Sequence, residues 1–167
     1  MTETKTLILR KANLFYFSIL LSLAVFAPLL KFQLVSGSLV NAVLFISTVI
    51  LGLEGSLLIG LVPSLIALGI GLLPSVLAPM IPFIVTSNAI LVLTFNFLRK
   101  RNYWLGIISA SFLKFLFLFG TSSLMIELFS KKEIAFKAAS MMSWLQLFTA
   151  LSGGLIAYFV LRIIKKA

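Results

Sequence analysis

Apolar residues run through this chain in blocks of membrane length, separated by short polar or basic segments. The blocks lack the short alternation of a barrel strand, so helices are the expected spanning element. They predict six helices, over about 13–30, 39–51, 56–72, 82–98, 103–129 and 141–164. The second is short for a span, since about 20 residues cross a bilayer core. The basic start with Lys5, Arg10 and Lys11 leads into the first apolar run. That run is longer than a signal-peptide core and shows no A-x-A cleavage pattern, so it is read as a retained first helix.

Punctuation divides the blocks. Ser36-Gly37-Ser38 reads as part of a loop over 31–38, and Gly52-Leu53-Glu54-Gly55 as a tight turn. Pro74 and Pro79 should end the third helix and shape an irregular segment over 73–81. Pro82 fits the first turn of the next helix, where the missing N–H costs little. This uncharged segment is expected to pack tightly or re-enter the membrane, with three helices on either side. Pro63 should bend the third helix, whose Ser56, Gly60, Ser64, Ala67 and Gly71 form a small-residue face.

Composition agrees with a membrane setting. The chain has 167 residues, is 61% hydrophobic and 11% charged, and has a mean hydropathy of +1.19. A soluble domain would be about 25% charged. The fold class is therefore an all-α integral membrane protein, one domain over 1–167 with six transmembrane helices in a single bundle, placed in the plasma membrane. The net charge of +10 lies between blocks and at the ends. It reads as topogenic charge and contact with anionic membrane lipids, not as a nucleic-acid surface. With both termini inside, nine basic residues fall on the inner side (Lys5, Arg10, Lys11, Arg99, Lys100, Arg101, Arg162, Lys165, Lys166) and four outside (Lys31, Lys131, Lys132, Lys137).

Lys114 stands near the centre of the fifth block. A lysine there costs about 2.5–3.5 kcal/mol on insertion scales and usually faces a cavity or partner. Its helix face also carries Ser111, Leu118 and Thr121. Glu127 is about 20 Å of helix rise away, too far to pair. The acceptor must then be an amide, a backbone carbonyl or an anionic ligand; otherwise the side chain snorkels inward. Asn41, Asn88 and Gln146 are the other deep polar residues and are expected to line or support one pocket with Lys114, open to the outside. The alternative for each amide is a hydrogen bond that joins helices. Trp144 stacks at the mouth or anchors the interface. The ligand would lie beneath the 31–38 and 73–81 loops and bring a carboxylate, phosphate or polarised carbonyl. No His or Cys, paired carboxylates, nucleotide loop or nucleophile elbow is present, which leaves no enzymatic reading, no cofactor and no metal site.

Four segments carry a family likeness. They are Gly37-Ser38-Leu39-Val40-Asn41-Ala42, then Gly52 and Gly55 with Gly60-Leu61-Val62-Pro63-Ser64, then Leu77-Ala78-Pro79-Met80-Ile81-Pro82-Phe83-Ile84 with Asn88-Ala89, then Leu113-Lys114-Phe115. In this order the chain resembles the substrate-binding S components of energy-coupling factor (ECF) transporters, from the second helix through the fifth. The resemblance implies a subunit that binds a vitamin-like micronutrient and works with a transmembrane coupling subunit and two cytoplasmic ATPases. Several members dock that subunit through an Ala-x-x-x-Ala stripe on the first helix. This chain has Ser18 and Ser22 at that spacing, which fit by size alone. The competing classes are a self-sufficient carrier or channel and a structural assembly protein.

The charge bias places the C-terminus in the cytoplasm. A C-terminal reporter active only in the cytosol is expected to be active; activity only from a reporter of the outer compartment overturns this topology.

Overall fold

A computed structural model describes residues 2–30, 32–69, 75–128 and 142–164. Lys31, Pro74, Lys131, Lys132, Lys137, Lys165 and Lys166 lie outside the described residues, as does the predicted start of the last helix at 141. The chain is a helical bundle of α1 (Thr2–Phe26), α2 (Gln33–Ile50), α3 (Gly52–Gly69), α4 (Ile81–Leu98), α5 (Tyr103–Leu128) and α6 (Trp144–Ile163). Two 3-10 turns, Ala27–Leu30 and Ser75–Met80, precede α2 and α4. No strand occurs among the described residues. Among the described residues five helical segments are long and apolar enough to cross a membrane, and the apolar stretch of α3, Gly52–Ile66, is shorter. The protein is a multi-pass helical membrane protein.

Two expectations about α2 and α3 are corrected. The predicted loop over 31–38 is helical from Gln33 onward, so α2 has 18 residues and is not a short span. In an apolar medium helix satisfies backbone groups that a loop would leave open. The Ser36 and Ser38 hydroxyls bond back to Gln33 O at 3.4 Å and Leu34 O at 2.6 Å. Gly37 marks a close approach: a Cβ there would lie 3.0 Å from Thr149 Cγ2 on α6. The small residues that suggested a loop are thus a helix contact. Likewise only Leu51 and Gly52 reverse the chain between α2 and α3. Gly52 adopts φ +79°, a conformation open to glycine at little cost, and Leu53, Glu54 and Gly55 already belong to α3. Glu54 then sits in the first turn, where a carboxylate complements the helix dipole.

Pro79 and Pro82 sit where the sequence indicates. Pro79 lies within the 3-10 turn and Pro82 in the first turn of α4. Pro63 lies inside α3 without ending it. Asn102 caps α5, its Oδ1 accepting from the N–H groups of Trp104 at 2.9 Å and Leu105 at 3.1 Å.

α2 is the central helix, with every residue from Asn41 to Thr48 buried. Below Asn41 its Val43, Leu44, Phe45 and Ile46 join Ile59, Leu91, Phe95, Ile107 and Leu161 in one apolar core. Phe45 meets Phe95 edge-on with centroids 4.7 Å apart. α2 and α6 pack intimately because Gly153 has no side chain. A Cβ there would lie 2.7 Å from Asn41 Cβ and from Ser38 O, and 2.8 Å from Ala42 N. Gly154 in turn faces Ile107 of α5. Such close backbone approach holds helices together in lipid, where apolar burial gives no advantage over the solvent.

Gly153→Ala is expected to destabilise the bundle by about 1–3 kcal/mol, because two of the three contacts are backbone atoms that cannot rotate away. Gly120→Ala, at a site with nothing within 4 Å, should change stability by no more than about 0.5 kcal/mol or raise it. Denaturant or thermal unfolding of the purified protein checks both; equal effects overturn the packing argument.

Candidate functional site

Lys114 of α5 is 3% exposed, and Asn41 of α2 and Asn88 of α4 are 2% and 3% exposed. Lys114 Nζ donates to Asn41 Oδ1 at 2.6 Å and to Asn88 Oδ1 at 2.8 Å. The side chain does not snorkel to an interface; it turns inward to two amide oxygens. Each amide is held at its other end. Asn88 Nδ2 donates to Gly60 O of α3 at 3.0 Å, and Asn41 Nδ2 donates to Thr149 Oγ1 of α6 at 3.4 Å. The Thr149 hydroxyl donates to Gln146 O at 3.1 Å. One network thus ties α2, α3, α4, α5 and α6 at a single level.

Helix geometry produces that level. α4 and α5 form a hairpin through the Arg99–Asn102 turn. At 1.5 Å per residue Asn88 lies about 15 Å from the end of α4, and Lys114 about 17 Å from the start of α5. The two side chains therefore meet across the hairpin. On α3, Pro63 lacks the N–H that would bond back within the preceding turn. Gly60, whose carbonyl takes the Asn88 amide, belongs to that turn.

Lys114, Asn41 and Asn88 form the floor of a cavity of about 160 Å³. Its walls rise toward the end of the bundle that carries the two 3-10 turns, through Ser36, Gly37, Val40, Ser64, Ile84 and Gln146 to Pro28. Four predicted residues thus come together: Asn41, Asn88, Lys114 and Gln146. Asn41 lies mid-helix, about 12 Å below Gln33, because α2 begins earlier than its sequence suggested. Trp144 does not line the cavity. Its exposed ring stacks on Phe115 with centroids 4.9 Å apart. Ser18 and Ser22 are exposed on α1 and bond back to Leu14 O and Ser18 O, leaving a small-residue stripe on the outside of the bundle. Of the predicted covering loops, 33–38 is helix and 75–80 a 3-10 turn; Lys31 and 73–74 lie outside the described residues.

Thr149, Ser36, Ser64 and the Gly60 carbonyl are participants that sequence reading missed. Thr149 was the most accessible of them, lying one turn beyond Gln146 and one turn before Gly153 on the same face of α6. A larger groove of about 450 Å³ lies between α1, α2 and α6, lined by residues such as Leu20, Leu23, Val43, Ile46 and Val160. Among the described residues Tyr16 is its one lining residue with a polar side chain. A solute site needs a few placed polar groups to fix orientation, and these are in the smaller cavity. No family model, curated protein or solved structure matches this chain.

Asn41→Ala and Asn88→Ala each leave a buried Nζ–H donor without its acceptor and should cost about 1–3 kcal/mol. A double-mutant cycle pairing either change with Lys114→Met should give a coupling of about 0.5–3 kcal/mol. Additive effects in unfolding experiments would show that these bonds contribute nothing to the fold.

Proposed function

We propose that this protein is the membrane-embedded solute-binding subunit of an ECF-type uptake transporter for a vitamin-like micronutrient, acting in the plasma membrane. The observation that carries the reading is the position of Lys114: a buried amine at the floor of a polar cavity, bonded among the described residues to two neutral amides. Intramembrane ionisable groups usually mark a solute or ion path. The cavity lining coincides with the segments that resemble the S components, since Gly37, Asn41, Pro63, Ser64, Ile84, Asn88 and Lys114 all fall within them.

In this reading the solute enters from the end that carries the 3-10 turns and rests on the Lys114 floor. The apolar core beneath the floor separates it from the opposite face, so release there requires a conformational change. With no nucleotide loop in the chain, energy comes from other subunits: a transmembrane coupling protein and two cytoplasmic ATPases. The exposed Ser18–Ser22 stripe on α1 is one surface where small residues permit a partner helix to approach. A purely structural reading rests on the fact that Asn41 and Asn88 each bond a second helix as well as Lys114. It does not account for Ser36, Ser64 and Gln146 being gathered around open space above them.

Affinity capture from the native membrane is expected to bring down a second membrane protein and two ATPases. Native mass spectrometry of the purified subunit is expected to show a retained small molecule. Stable homo-oligomers that conduct in liposomes without ATPases would instead establish a channel or carrier.

A further inference from the structure

Resting on the solute-binding reading above, we infer that the solute is a compact carboxylate whose negative end is held at the floor of the cavity by Lys114. A lysine ammonium has three N–H donors and no acceptor. Asn41 Oδ1 and Asn88 Oδ1 take two of them, which leaves one for an occupant. Neither amide is free to turn its NH2 group toward Nζ. Asn88 Nδ2 is held by Gly60 O and Asn41 Nδ2 by Thr149 Oγ1, which fixes both oxygens on the lysine. The floor therefore presents a donor, and it is preorganised.

Charge sets the class. Among the described residues the cavity lining contains one lysine and neither Asp nor Glu. Of the acids on described helices, Glu3 lies at the start of α1, about 35 Å of helix rise from Phe26 at its other end, and Glu54 lies in the first turn of α3, about 15 Å of rise from Ser64 in the cavity wall. Glu127 is about 20 Å along α5 from Lys114. The two acceptors on Lys114 are neutral amides, so among the described residues the ammonium has no counter-ion beside it. A cationic solute would meet an uncompensated like charge in a medium of low dielectric, where such repulsion is strong. A doubly charged phosphate would leave one negative charge unmatched. A monocarboxylate balances the site and accepts a charge-assisted hydrogen bond, the stronger kind. Above the floor, Ser36, Ser64 and Gln146 add polar groups, while Pro28, Val40, Pro63 and Ile84 supply apolar surface. A carboxylate on a short hydrocarbon or a single ring matches that distribution.

Volume sets the size. Sites for drug-sized ligands are about 300–1,000 Å³, and this cavity is about 160 Å³. The occupant is correspondingly small.

The test uses acid–amide pairs, which differ in charge and little in shape: butyrate with butyramide, benzoate with benzamide, nicotinate with nicotinamide. Each is titrated against the purified full-length protein in nanodiscs, following the unfolding temperature. The molecule released from untreated protein by denaturation is also identified by mass spectrometry. At least one acid is expected to raise the unfolding temperature while its amide does not, and the released molecule is expected to be a monocarboxylate. Lys114→Met should weaken the acid's binding roughly tenfold to a hundredfold. The acid–amide contrast is read on the wild-type chain, so it stands even where that variant folds poorly. Amides acting as well as acids, or acid binding that survives in a folded Lys114→Met protein, overturns the inference. Where no probe acts, the released molecule decides: a carboxylate upholds the inference, and a neutral or cationic solute overturns it while leaving solute binding intact. A protein that releases nothing and responds to no probe overturns both readings.

Discussion

An amine buried in the middle of a membrane bundle must find acceptors on other helices, because its own backbone carbonyls are committed to the helix. Most of this architecture follows from that requirement. Lys114 reaches Asn41 and Asn88, and each amide then needs a partner for its NH2 end. Gly60 O and Thr149 Oγ1 meet that need from two further helices. Five helices are thereby fixed in axial register by side chains at one depth. Interhelical hydrogen bonds in membranes contribute about 0.6–2 kcal/mol each. Their larger effect is on specificity, since sliding one helix by a turn would strand an amine or an amide in an apolar medium.

The level of Lys114 also divides the bundle by chemistry. On the side of the Arg99–Asn102 turn, Phe45, Phe95, Ile59, Ile107 and Leu161 fill the space between helices. On the other side the walls recede and the lining turns polar at Ser36, Ser64 and Gln146. α2 spans both regimes, and Asn41 marks the change. The same glycine that lets α6 approach α2 lies against the Asn41 Cβ, so this close helix contact supports the floor of the cavity.

Much of this was legible in the sequence, and the exceptions have physical causes. The start of α4 and the turn from α4 into α5 are visible because Pro82 and the basic run at Arg99, Lys100 and Arg101 are strong local signals. Asn88 and Lys114 nearly mirror each other about that turn, so their meeting is a matter of counting along a hairpin. Ser36-Gly37-Ser38 misled because small polar residues signal a loop in water, whereas between membrane helices they permit close contact. Gly52 misled differently: one residue at positive φ completed a reversal that the local composition spread over four. Thr149 was legible only through its place between Gln146 and Gly153 on one face of α6, because a single hydroxyl on an apolar helix usually bonds its own backbone. The size of the cavity could not be read, since its volume depends on how far apart the helices stand.

The chain order of the network bears on biosynthesis. Membrane helices emerge from the ribosome N-terminus first, at about 5–20 residues per second. Asn41 and Asn88 belong to α2 and α4, and Lys114 to α5. Both acceptors are therefore synthesised before the amine they receive. When the most costly residue of the protein leaves the translocon, a neutral amide pair is already in the membrane to take it up. Only Thr149 on α6 follows, and its bond to Asn41 Nδ2 then fixes the amide oxygen on the lysine.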